Sequence, residues 1–282
     1  MSEIAIVADS LSSVPANFVE QYNIKVVPQV LIWGEEIFLD GVDITPSEFY
    51  NRLKTADTIP STSQATPASF KEVFEPLVAA GIPIITIVGS SELTATINSA
   101  EQAKATFPHS TIEIVDSLDV SMSLGFQVLA VARAIEEGKS FEEVVAIART
   151  ARNYTGVMFV VESLEFLHRG GRIGGASRLL GTALGLKPLL ELRDGNVEPI
   201  ENIRTKAKAR ARMLDLIEER VAGQSNIRLA GLHAAAEEET QELLKEAVKR
   251  LHPVETLFTE VSPVIGTHTG PGVVGLAFST IL

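Results

Sequence analysis

The chain has 282 residues, 45% of them hydrophobic and 21% charged, enough for two domains with full cores. Its formal net charge of −12 argues against nucleic acid and against anionic lipid surfaces, which are bound through excess Lys and Arg. The absence of cysteine rules out disulfides, a thiolate nucleophile and zinc–thiolate chemistry.

Met1-Ser2-Glu3 leads straight into an apolar run without a basic segment, so no secretory signal is expected. No run reaches the ~18 apolar residues of a membrane span. A cytoplasmic protein is expected.

Residues 4–8 read as a buried strand that ends in Asp9-Ser10. Ser12, Ser13 and Pro15 start a helix towards Tyr22. Residues 26–32 read as a second strand, which Pro28 confines to an edge or a bulge. Gly34 and Gly41 mark turns, and Thr45-Pro46-Ser47-Glu48 is a capping box with proline at the first helical position. Residues 59–67, Ile-Pro-Ser-Thr-Ser-Gln-Ala-Thr-Pro, form a hydroxyl-rich loop. Thr66 caps a helix there whose apolar residues Phe70, Val73, Phe74, Leu77 and Val78 share one face. Hydroxyls and unpaired N–H groups at a helix start suit an anion, although an ordinary capped surface loop has the same pattern.

Residues 82–88 and 111–115 are β-branched runs of the kind buried on both faces of a parallel sheet. The first ends in Gly89-Ser90-Ser91-Glu92, with a helix from about Leu93. The second ends in Asp116-Ser117, with a helix over about 123–137, and a further capping box at Ser140 to Glu143 opens a helix to about Asn153. This alternation predicts right-handed βαβ units and a doubly wound parallel sheet. Ligands of such sheets lie outside the carboxyl ends of the strands, so Asp9-Ser10, Ser90-Ser91 and Asp116-Ser117 are expected on one rim.

After 157–161 the pattern changes. A glycine-rich turn, Arg169-Gly170-Gly171-Arg172-Ile173-Gly174-Gly175, is followed by apolar runs flanking Asp194-Gly195, a hairpin signal. A basic helix after Thr205, strands at 227–232 and 254–261, a helix over 237–251 and a final strand at 273–278 complete the chain. The expected organisation is α/β with two domains: residues 1–155 as a doubly wound α/β domain and 156–282 as an α+β domain with a mixed sheet.

The glycines at 170–175 fit neither the dinucleotide fingerprint nor the phosphate-cradling loop, and no G-x-S-x-G elbow exists. The five histidines include no H-E-x-x-H pair, so no metal site is expected. His268 stands in Gly266-Thr267-His268-Thr269-Gly270-Pro271-Gly272, a loop free enough for close approach to a ligand. Ser90, Ser91, Thr94 and Thr96 also read as simple caps. Arg204, Lys206, Lys208 and Arg210 form a candidate phosphate or partner patch in an acidic chain.

Together these stretches resemble the DegV family, bacterial fatty-acid-binding proteins that include the carrier subunit of fatty acid kinase. The resemblance covers nearly the whole chain in order. It rests on Ala8-Asp9-Ser10, Ser61-Thr62-Ser63-Gln64, Ser90-Ser91-Glu92-Leu93-Thr94 with Asn98-Ser99-Ala100, Asp116-Ser117, Arg169-Gly170-Gly171-Arg172-Ile173 and Gly266 to Gly272. It implies one long-chain fatty acid in an apolar tunnel between two α/β domains, with no catalytic residue, cofactor or metal in this chain. By position, the carboxylate would be held by Thr62 and Thr94, with Ala95, Thr267 and His268 completing the network. Arg172 and Arg204 would stand near the carboxyl end, where the catalytic subunit of a fatty acid kinase makes acyl phosphate. Thr94-Ala95-Thr96-Ile97 departs from the family's commoner Ser-Gly-Thr and an aromatic; Ile97 and Phe126 are expected to bear on tail selectivity. The alternative is a stand-alone enzyme on a small phosphorylated or carboxylated metabolite, with His268 as acid–base and Arg204 as phosphate clamp.

Overall fold

The computed structural model describes residues 4–181 and 185–281. In chain order its elements begin with β1 (Ala5–Asp9), α1 (Ala16–Gln21), β2 (Lys25–Val27), β3 (Val30–Trp33), β4 (Glu36–Leu39) and α2 (Pro46–Leu53). Next come β5 (Ser61–Ser63), α3 (Pro67–Ala79), β6 (Ile84–Val88), α4 (Thr96–Lys104), β7 (Ile112–Asp116), α5 (Ser121–Glu136) and α6 (Phe141–Ala151). The remainder runs β8 (Thr155–Val160), α7 (Glu165–Arg169), β9 (Lys187–Arg193), β10 (Asn196–Ile203) and α8 (Lys206–Arg220). It ends with β11 (Arg228–His233), α9 (Glu237–Leu251), β12 (Glu255–Glu260), α10 (Pro263–Thr269) and β13 (Val274–Ser279).

The doubly wound sheet is present, with parallel strands in the order β2-β1-β6-β7. All five residues of β6 are buried, as its unbroken apolar run requires. Phe70 and Phe74 of α3 and Ala100 and Ala103 of α4 pack on one face of the sheet. Leu124 and Val128 of α5 and Val144 and Ala148 of α6 pack on the other.

Two local expectations change. Pro28 divides the expected strand at 26–32, because it has no N–H to pair; β2 stays in the parallel sheet while β3 leaves it. β3 instead sits between β4 and β5 in a small antiparallel sheet, with Leu31 opposite Thr62. Thr62 is therefore held on a strand and not on a loop. The glycine-rich stretch around His268 is also not a loop: Pro263 to Thr269 is helical, with Ser262 as cap and Gly270 (φ 75) ending it. Gly266 serves close packing there, since a Cβ would overlap the Tyr50 hydroxyl. The helices expected from about 93 and 123 begin at Thr96 and Ser121.

From Thr155 onwards the strands build one six-stranded mixed sheet, ordered β10-β9-β8-β13-β11-β12. Asp194 and Gly195, at φ 50 and 82, form the tight turn of the β9–β10 hairpin. Side chains alternate across this sheet. Met158, Val160, Leu189, Leu229 and Leu276 pack under α8 and α9. Val157, Phe159, Leu190, Val197 and Leu232 face the first half of the chain, sharing one cluster with Leu31, Trp33, Phe49, Tyr50 and Phe126. Tyr50 fixes that contact by donating its hydroxyl to the Val261 carbonyl at 3.0 Å.

The start of α5 is tied down by Asp119, which accepts the Val120 N–H at 2.9 Å and the Ser123 hydroxyl. Burial pushes the Asp119 carboxyl from 3.8 to about 7, against the lowering effect of those two donors. The folded state thus binds a proton that the unfolded chain releases, so this contribution to stability is complete below 3.8 and is lost as pH rises through about 7. Asp119→Asn keeps an acceptor for Val120 and cannot titrate. Urea unfolding across about pH 5 to 6.5 should then show the stability slope changed by up to about 1 kcal/mol per pH unit. An unaltered slope would mean that Asp119 does not titrate in this range.

Candidate functional site

The carboxyl ends of β1, β6 and β7 and the inner face of the six-stranded sheet enclose a cleft with about 1110 Å³ of empty space, open mouth included. A crevice outside the carboxyl ends of parallel strands is where such sheets hold ligands. Its walls are mainly aliphatic. Val157, Phe159, Leu192 and Val197 come from the sheet, Leu167 from α7, and Val264 and Ile265 from α10. Polar groups gather at one end, where Thr62, Thr94, Arg172 and His268 meet. Gln64 and Ala95 are the exposed members of the lining, so this polar end adjoins the surface.

Thr62 Oγ1 lies 2.7 Å from His268 Nε2. His268 Nδ1 is buried without a partner, pressed against Gly170, where a Cβ would overlap it. We assign the ring hydrogen to Nε2, because a proton on Nδ1 would be a buried orphan donor, rarer than an orphan acceptor. Nε2–H then donates to Thr62, whose own hydroxyl hydrogen is free for a ligand. Burial, helped by the nearby Arg172 charge, pulls His268 down to about 4, so the ring is neutral at pH 7.

Thr94 Oγ1 is 2.8 Å from Thr96 Oγ1, which receives a hydrogen bond from Gln29 Nε2 at 2.8 Å. Ala95 lies beside Thr94 at φ −86, a conformation open to any L-residue, so alanine brings no strain at this departure from the family pattern. Arg172 spans the two halves of the chain, its Nε donating to the Leu93 carbonyl at 3.1 Å and its Nη1 to the Gly170 carbonyl at 2.8 Å.

Four sequence expectations fall elsewhere. Thr267 is buried and donates to the Pro263 carbonyl at 2.9 Å within α10, turned about 100° away from His268; Thr269 lines the cleft instead. Arg204 is exposed just beyond the far end of β10, about 20 Å of strand from the lining residue Val197. Ile97 packs under the parallel sheet and Phe126 in the shared core, and neither lines the cleft. Sequence reasoning missed Gln29, whose signal is a lone amide inside the apolar run Val-Val-Pro-Gln-Val-Leu-Ile. It also missed the reason for Gly170, a close approach to a ring far away in sequence. Among the described residues no group of three or more His, Cys, Asp or Glu could hold a metal ion.

The profile of the DegV family, described as uncharacterised proteins, matches residues 3–280. The chain belongs to the DegV family. A DegV domain-containing protein of Streptomyces coelicolor is 34% identical over 279 residues, covering 98% of each chain. A Thermus thermophilus DegV family protein, whose structure is described as showing fatty acid binding, superposes with a TM-score of 0.94. It is 34% identical and 99% of each chain is covered. A stearic acid-binding protein of Eubacterium ventriosum gives a TM-score of 0.92 at 26% identity, with 99% of this chain and 98% of that one covered. The two-domain α/β fold of this DegV protein is thus that of fatty-acid-binding relatives.

Gly170→Ala should force the His268 ring away from Thr62 and out of its buried seat. An NMR titration should find His268 raised by a unit or more towards an ordinary histidine, with stability lowered by about 1–3 kcal/mol. Gly171→Ala is the control, straining φ +69 with nothing within 4 Å of the new methyl. The same titration in both variants would show that Gly170 does not seat the ring.

Proposed function

We propose that this protein binds one long-chain fatty acid in the cleft and presents its carboxylate to the catalytic subunit of a fatty acid kinase. The carboxylate oxygen then attacks the γ-phosphorus of ATP held by that partner, giving acyl phosphate and ADP. The observation that carries this reading is the pairing of a mainly apolar lining with an uncharged hydroxyl pair at its surface end. The wall suits a tail, each buried CH₂ contributing about 0.8 kcal/mol. Thr62 and Thr94 donate to the carboxylate, and the exposure of Gln64 and Ala95 beside them leaves it within reach of a partner. Arg172, next to the same end, offers a cation to the charge that develops on phosphorylation.

The carrier does not itself catalyse. His268 is bound to Thr62 and sits near 4, far from the value that suits an acid or base at neutral pH. Arg204 stands outside the cleft, so the alternative of an enzyme built on His268 and Arg204 has no clamp to work with. A chain with no membrane-spanning helix among its described residues fits a carrier working in the cytoplasm.

Native mass spectrometry of the purified protein should show one bound fatty acid, and protein stripped of lipid should take up C16–C18 acids on titration. Thr62→Val should weaken that binding by roughly 1–3 kcal/mol, about 5- to 150-fold. Protein that is empty and fails to take up these acids would overturn the reading. Acyl phosphate should form only when the kinase subunit, ATP and this protein are all present; turnover by this protein alone would rule out the carrier role.

A further inference from the structure

Beneath Thr94 lies a chain of polar groups that binding alone does not require. Gln29 is 1% exposed, and every polar atom of its amide is engaged. Its Nε2 donates to Asp9 Oδ2 at 3.1 Å and to Thr96 Oγ1 at 2.8 Å, and its Oε1 accepts the Ala65 N–H at 3.0 Å. The reverse orientation of the amide would set NH₂ against the Ala65 N–H and a carbonyl against a carboxylate, so the assignment is unambiguous. Asp9 is anchored in turn by the Leu11 N–H at 3.1 Å and the Gly89 N–H at 3.0 Å. Burial, with the Asp40 carboxylate nearby, raises the Asp9 carboxyl from 3.8 to about 7, so at pH 8 it is ionised and accepts from all three donors.

Thr96 is 0% exposed and accepts from Gln29, so its own hydrogen must find an oxygen inside the protein. Thr94 Oγ1, at 2.8 Å, is its hydrogen-bonded neighbour besides Gln29. Thr96 therefore donates to Thr94, and the Thr94 hydrogen is left for the cleft. The Nε2–H of His268 imposes the same polarity on Thr62.

We propose that Gln29 and Thr96 are positioning residues, a relay from Asp9 that fixes the Thr94 hydroxyl as a donor and makes the cleft selective for ionised carboxylates. An ionised carboxylate accepts from both threonines. A fatty alcohol, or a protonated acid, carries one more hydrogen, while each threonine oxygen already accepts one. To accept the ligand's hydrogen as well, a threonine must turn its own hydrogen away from the ligand, a buried mismatch that costs affinity. This inference rests on the fatty-acid reading and adds the protonation state and headgroup class to it.

The test is competition between palmitate and 1-hexadecanol at pH 8 for lipid-stripped protein, with the bound ratio read by native mass spectrometry. The natural protein should favour palmitate. Thr96→Val frees Thr94 to accept as well as donate, and should reduce the palmitate preference at least tenfold. Thr96→Ser keeps the hydroxyl and should restore it, which a purely structural role for the side chain would not predict. Gln29→Met has no donor for Thr96, so it should let the relay turn round and raise hexadecanol binding. Palmitate binding with a preference that Thr96→Val leaves unchanged would overturn the relay alone. If the natural protein takes up neither ligand, the fatty-acid reading itself fails, and the relay with it.

Discussion

The packing of one sheet face against the other half of the chain governs the rest of the molecule. β8 to β13 form a sheet with two apolar faces; α8 and α9 cover one, and the other has only the short α7 and α10 from its own half. The second face must be covered by the doubly wound half, through Leu31, Trp33, Phe49 and Tyr50. The two surfaces differ in shape, since one is a sheet and the other a rim of strand ends and short helices. They close well around Tyr50 and leave a cleft where the rim loops stand back. The cavity is the unfilled part of a shared core, which accounts for its aliphatic walls and for the origin of its lining in both halves.

The same geometry explains the electrostatics of the site. A cleft inside a core cannot hold a bare charge cheaply, and the histidine and threonines at its polar end are accordingly neutral. His268 has been driven to its uncharged form, and the threonines carry hydrogen but no net charge. Arg172 stands at the edge, with two of its donors already spent on carbonyls from opposite sides of the seam. An anion at this end would be held by oriented dipoles, with a full positive charge only at the edge. Such an arrangement suits the proposed carboxylate, which it would leave chemically available, whereas a buried ion pair would sequester it.

Much of this is legible in the sequence, and the limits have physical causes. β6 is an uninterrupted β-branched run and announces a buried parallel strand, and the Asp194-Gly195 turn announces its hairpin. Thr62, Thr94 and His268 are singled out by motifs that resemble a family with fatty-acid-binding members, and the structure brings all three to the cleft. What could not be read is whatever depends on contact between residues far apart in the chain. Ser61 to Ser63 carries turn-like residues and becomes a strand only because β3 offers it a partner. The stretch around His268 is rich in glycine and reads as a loop, yet Gly266 is there to admit Tyr50 and Gly170 to admit an imidazole. Thr267 and Thr269 are indistinguishable until helical periodicity turns one inward and the other towards the cleft. Gln29 resembles a stray polar residue until Asp9 and Thr96 are seen on either side of it.

The position of β13 has a consequence for how the molecule is made. It fills the gap between β8 and β11 and is antiparallel to both, with Val274 paired to Val160 on one side and to His233 on the other. Until β13 has left the ribosome, β8–β10 and β11–β12 are two fragments with open edges, and the surface that faces the doubly wound half is incomplete. The first half can collapse during synthesis, because its four parallel strands are all in hand by Asp116. The wall of the cleft, by contrast, is complete only once β13 joins the two half-sheets. A ligand of the cleft therefore has no finished site to enter until the thirteenth strand is in place.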